Sequence, residues 1–106
     1  MTQAKGADMQ NVTGATDLEE SVIVVLDGTA ATAEMVGEMT RAGTRVTAVG
    51  SSFRDVVAVL SGDVYVMVAD LADPEQWDTA VLRAERRNGP VGRVLDPAGV
   101  LAARAA

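Results

Sequence analysis

The run Ser21-Val22-Ile23-Val24-Val25-Leu26 constrains the fold more than any other segment. It is mostly β-branched, uncharged and without polar alternation, the pattern of a strand covered on both faces. Such a strand lies inside a parallel sheet, and parallel neighbours require long crossover connections, usually helical. The following residues supply them. Met35, Val36, Met39 and Ala42 recur at helical spacing, and Ala42-Gly43 stops the pattern before a second strand, Thr44-Arg45-Val46-Thr47-Ala48-Val49. Ser52-Phe53-Arg54-Asp55 has the form of a capping box opening a short helix that carries Val56, Val57, Val59 and Leu60, closed by Ser61-Gly62-Asp63. A third strand spans Val64 to Ala69. The third helix has an N-cap at Asp73, Pro74 at its first position, Glu75 at its positive end and Asn88-Gly89-Pro90 as its stop, with Trp77, Val81 and Ala84 facing inward. Val91-Gly92-Arg93-Val94-Leu95 forms a fourth strand. The alternation predicts an α/β domain over residues 21–106, a small three-layer parallel sheet of four strands with helices on both faces.

Composition narrows the chemistry. A chain of 106 residues forms one domain that buries roughly two-thirds of its unfolded surface. Its net charge of −6, with Lys5 the only lysine, argues against a nucleic-acid or anionic-membrane surface. The absence of cysteine and histidine removes thiolate and imidazole metal ligands, thiol nucleophiles and the usual neutral-pH acid/base. No apolar run approaches the roughly 20 residues that span a bilayer, and the amino terminus lacks a basic-then-apolar leader pattern, so a cytoplasmic protein is expected. Residues 1–20 carry few large apolar side chains and read as a flexible arm.

Three segments carry a resemblance. Ala42-Gly43-Thr44-Arg45-Val46 resembles an "AGxxV" entry into a second strand, Ala69-Asp70-Leu71-Ala72-Asp73-Pro74-Glu75-Gln76-Trp77 a "DLxDPExW" segment, and Ala98-Gly99-Val100 the end of an "NNAG" loop. All three are similar to the cofactor half of the short-chain dehydrogenase/reductase family, from Val22 to Val100. The resemblance implies a truncated, half-Rossmann sheet with strand order 3-2-1-4. It also implies that Asp70 would accept from an adenine amine and that Leu71 would flank the base. Arg54 is the only charged candidate near the ribose.

The departures from that family remove its chemistry. A dinucleotide turn uses glycines for unusual backbone angles, for bare N–H groups at the pyrophosphate and for close helix packing. Here the glycine positions hold Leu26, Ala30 and Thr32, Gly28 is displaced from them, and Asp27 adds negative charge where phosphate would sit. In the last motif Asp96 and Pro97 replace the asparagines. The family's serine and Tyr-x-x-x-Lys follow strand 4, where this sequence stops. The sole tyrosine, Tyr65, is followed at the fourth position by Ala69. No catalytic residue, metal or cofactor is therefore expected. The leading expectation is a noncatalytic pseudoenzyme, a pseudo-subunit or scaffold that associates with a larger reductase-like or biosynthetic partner, or with itself.

Two other readings use the same residues. In the first, Asp27, Asp70, Asp73 and Asp96 line the carboxyl edge of the sheet as an atypical small-molecule or nucleotide site with residual activity. The local alternative makes Asp73 a helix cap, Asp27 and Asp96 turn residues, and Asp70 an acceptor of nearby backbone N–H groups. In the second, Asp27 and Asp70 are the acidic and phosphorylatable positions of a degenerate receiver domain. Leu26, Asp96 and the lack of a fifth strand to carry a lysine depart from that pattern.

Association has its own signals. Asp8, Asp17, Glu19, Glu20 and Asp27 make the first quarter acidic, whereas Arg83, Arg86, Arg87, Arg93 and Arg104 gather positive charge near the end. An arm of one copy reaching the arginines of another would use that asymmetry. Alternatively, Arg83, Arg86 and Arg87 simply complement the third helix's dipole. Strand 4 has no fifth strand beside it, so Val91, Arg93, Val94 and Leu95 border an unpaired edge. A twofold dimer built around strand 4 and the third helix is expected, unless the Ala-rich tail from Val100 to Ala106 folds over that edge.

Overall fold

The computed structural model describes residues 20–61 and 63–101. The predicted arm lies outside the described residues except for Glu20, as does most of the Ala-rich tail. Four parallel strands form one sheet in the order β3-β2-β1-β4, as the sequence predicts. They are β1 (Ser21–Val25), β2 (Arg45–Gly50), β3 (Val64–Val68) and β4 (Val91–Leu95). Between them run α1 (Ala30–Arg41), α2 (Phe53–Val56) with a following 3-10 turn (Val57–Val59), and α3 (Pro74–Asn88).

Every residue of β1 is buried, and the strand bonds to β2 on one side and β4 on the other. Alternation divides its side chains between two cores. Val22, Val24 and Leu26 pack with Val36 of α1, with Val46 and Ala48, and with Val56 and Val59. Ile23 and Val25 pack on the opposite face with Val49, Met67, Leu71 and the small α3 residues Ala80 and Ala84. These two clusters make the three layers.

The two caps that the sequence places are present: Ser52 accepts from the Asp55 N–H and Asp73 from the Glu75 N–H. Thr29, which the sequence pattern does not mark, caps α1 by accepting from the Thr32 N–H. Differences from the sequence reading are local. Ala42 is an exposed C-cap rather than a core residue, and buried Thr32 replaces it, its hydroxyl 3.1 Å from that of Thr29. The second helix lasts one turn before tightening to 3-10. Its β-branched run of Val56 and Val57 propagates a helix poorly, and Val57 and Leu60 face outward. On α3, Ala80 and Ala84 are the buried pair, and Trp77 and Val81 pack partly against them.

Two buried hydroxyls tie the ends of α3 and β4 to the sheet. Asn88 Nδ2 donates to Thr47 Oγ1 at 3.0 Å, and Ser21 Oγ donates to the Gly89 carbonyl at 3.2 Å. Both hydroxyls belong to residues with no exposed surface, so these bonds spare the cost of unpartnered buried polar atoms.

If β1 carries the fold, Ile23→Ala should cost about 2–5 kcal/mol in chemical denaturation, because Ile23 is fully enclosed. Leu82→Ala, at an exposed α3 position, should cost no more than about 0.5 kcal/mol. Equal losses would contradict the placement of the core.

Candidate functional site

The carboxyl edge of the sheet is where an α/β fold usually binds ligands. Its first turn leaves β1 through Leu26, whose N–H still bonds to the Val49 carbonyl, and reaches Asp27 and Gly28. Asp27 turns back on the helix it precedes. Its Oδ1 accepts from the Thr29 N–H at 2.9 Å and from the Thr29 hydroxyl at 2.7 Å. Those hydrogen bonds, the hydroxyl bond first, hold the Asp27 carboxyl below the usual aspartate range, with help from Thr32. A carboxylate of the chain itself thus sits at the positive end of α1, where a dinucleotide fold receives phosphate.

Gly28 has a required backbone. Its φ of +82° lies in the left-handed region, and an added Cβ would come within 2.9 Å of Asp55 Oδ1. The same α2 turn crowds the end of β2, where a Cβ on Gly50 would meet Val56 Cγ1 at 2.8 Å. Asp55 therefore lies over the first turn, bonded at Oδ2 by the Ser51 hydroxyl at 3.2 Å. By sequence Asp55 belongs to a capping box, and its neighbour Arg54 is the charged candidate. Arg54 is exposed on the one-turn helix. The approach of Asp55 to Gly28 is tertiary; its only sequence signal is a pair of glycines, Gly28 and Gly50, flanking the strand ends.

The other edge carboxylates bind their own backbone. Asp70 Oδ1 accepts from the Ala72 N–H at 3.0 Å, while the Asp70 N–H donates to Gln76 Oε1 at 2.7 Å. Asp73 caps α3. Asp96 accepts from both the Val100 and Leu101 N–H groups at 2.9 Å, which ties the chain after β4 back to the domain. Leu71 is only 2 % exposed and belongs to the core beneath α3. Sheet order also separates these groups. Asp27 and Asp96 follow neighbouring strands, whereas β2 lies between the strand of Asp27 and that of Asp70. A receiver-type sheet instead runs 2-1-3-4-5, with those two strands adjacent, so the receiver alternative does not fit this topology. Among the described residues no three acidic side chains gather as a metal site.

The two edges of the sheet differ from its carboxyl end. On β4, Arg93 and Val94 are exposed and Val91 and Leu95 half-buried, so all four predicted interface residues lie on an open edge strand. The ladder with β1 is irregular between Ser21 and Val22, opposite Gly92, whose Cα faces the Glu20 side chain so closely that a Cβ would lie 2.5 Å from Glu20 Oε1. A bulge and a charge are both devices that blunt an edge. On the far side, β3 is an open edge too, a Val-Tyr-Val-Met-Val strand without charge or register break. Its edge position follows from strand order and leaves no mark in the strand's own residues.

No known protein family and no curated protein sequence matches this chain. Among the described residues no helix is long and apolar enough to cross a membrane.

The Asp27 contacts set a pH dependence. Because its folded pKa lies below the ordinary 3.8, the stability it adds is fully present above that value and is lost as pH falls through the folded pKa. Asp27→Asn, which keeps an oxygen acceptor and loses the charge, should lower the melting temperature at neutral pH. The gap between the two proteins should close in acid; a gap independent of pH would show that the charge contributes nothing.

Proposed function

We propose that the chain is a noncatalytic, reductase-like α/β module that acts by associating with protein, either a second copy of itself or a larger reductase-like or biosynthetic subunit. The single observation that carries this reading is where binding capacity has been used and where it remains. At the carboxyl edge, Asp27, Asp70, Asp73 and Asp96 are each engaged by backbone N–H groups of their own turns. A nucleotide phosphate would have to displace Asp27 from α1, against charge and hydrogen bonds together. At β4, by contrast, Val94 is 41 % exposed on a strand whose outer side has no neighbour among the described residues.

The sheet supports a completing strand at that position. In reductase-like sheets a fifth strand follows the fourth, and a partner that supplies it would cover Val91, Val94 and Leu95 while leaving Arg93 at the rim. The simplest partner is a second copy related by a twofold axis. Light scattering at micromolar concentration should return the mass of two chains. Val94→Glu should return the mass of one chain that keeps the wild-type circular-dichroism spectrum, because the side chain is already partly solvated, with the melting temperature lowered by what dimerisation adds. A wild-type mass of one chain, unchanged by dilution, in protein purified without a partner would contradict the dimer.

A further inference from the structure

The opposite edge of the sheet carries a second, chemically distinct surface. Along the open side of β3, a cleft of ≈ 330 Å³ between the strand and α3 continues past Arg83 onto a shallow, open patch formed by Tyr65, Arg83, Arg86 and Arg87. The floor is apolar where Met67, Ala69 and Ala80 meet. At the end beside Tyr65, Arg83, Arg86 and Arg87 project from one face of α3, spaced three and four residues apart. The Arg87 guanidinium lies over the Tyr65 ring, 5.3 Å from its centroid. Among the described residues no carboxylate pairs with any of the three arginines, in a chain of net charge −6. Complementing the helix dipole explains Arg86 and Arg87 in the last turn. It does not explain why all three line one groove with Tyr65.

The backbone at that edge is equally open. The Ala69 N–H bonds inward to the Gly50 carbonyl, so by alternation the N–H groups of Tyr65 and Met67 also point to β2 and those of Val66 and Val68 point outward. Val64 and Val66 turn their side chains toward the α1 side, and alternation puts Val68, 53 % exposed, on that face as well. A strand added here would therefore meet arginines and an aromatic ring on one face and valines on the other.

We infer that β3 accepts an extended segment of a partner protein in which acidic and apolar residues alternate, its backbone bonded to Val66 and Val68 and its carboxylates set on Arg83, Arg86 and Arg87. Acidic side chains belong at the Tyr65 end, because Asp73 and Glu75 line the other end of the groove. The inference rests on the association reading and names a partner chemistry for the edge that β4 does not use.

The test is fluorescence anisotropy of the full chain with a labelled, capped hexapeptide Glu-Val-Glu-Val-Thr-Val and its counterpart with lysine in place of glutamate. Saturable binding of the acidic peptide alone, weakened by salt, is expected. The triple change Arg83→Ala, Arg86→Ala and Arg87→Ala should weaken it at least about tenfold. Val66→Pro should do the same, since the N–H it removes points away from β2; because it also exchanges the valine's packing on the α1 side for a proline ring, an unchanged circular-dichroism spectrum is required alongside. Val94→Glu should leave peptide binding unchanged, which separates a failure of this site from a failure of the β4 dimer. Equal binding of both peptides, or undiminished binding by the arginine and proline variants, overturns the proposal. So does absence of binding at about 1 mM peptide. Binding that emerges only after Asp17→Asn and Glu19→Gln also overturns it, because the groove then holds the chain's own amino-terminal segment.

Discussion

Everything in this domain is referred to β1. Each of its residues is buried, both of its edges are bonded, and its alternating side chains feed one hydrophobic cluster on each face of the sheet. Full burial of each large aliphatic side chain stabilises the fold by about 1.5–3 kcal/mol, so a strand that contributes Val22, Ile23, Val24 and Val25 supplies a large part of the driving force. Its central position determines the rest. The helices must cover both of its faces, β2 and β4 must flank it, and β3 is left to form the outer edge beyond β2.

The same arrangement separates two kinds of surface. Where strands end, the chain reverses through turns and helix starts whose N–H groups need acceptors, and four aspartates supply them. Ligand chemistry in this class of fold exploits those N–H groups, and an aspartate that caps them locally competes with a ligand for them. Asp55 differs, since its carboxylate is bonded by the Ser51 hydroxyl and lies against Gly28. At the sides of the sheet the N–H and carbonyl groups of β3 and β4 have a strand on one side only. In the proposed reading, these capped turns and open edges suit a protein partner better than a small molecule.

Much of the fold was legible because burial and capping are local signals. The unbroken run from Ser21 to Leu26 marks a doubly covered strand, and Asp73-Pro74-Glu75 marks a helix start whatever surrounds it. Crossover rules lead to a parallel sheet with helices on both faces; the strand order 3-2-1-4 comes only from the resemblance to reductase cofactor halves, and the sheet has that order. What escaped was tertiary. Thr47 looks like an ordinary strand residue until Asn88 reaches it from α3, forty-one positions away in the chain. Asp55 reads as a capping residue until Gly28 and Gly50 bring α2 against two strand ends. The arginine groove requires α3 and β3 to be seen side by side, because Tyr65 and Arg87 share no local pattern.

In the proposed reading this domain binds through its sheet edges and not through the turn at the head of α1. Backbone amide NMR of the full chain, recorded against protein concentration and against added NADPH, distinguishes the two. Concentration-dependent shifts are expected at Val91, Arg93, Val94 and Leu95, with Asp27, Gly28, Thr29 and Thr32 unmoved by the nucleotide. Saturable shifts at that turn with the edge strands unchanged would contradict that reading.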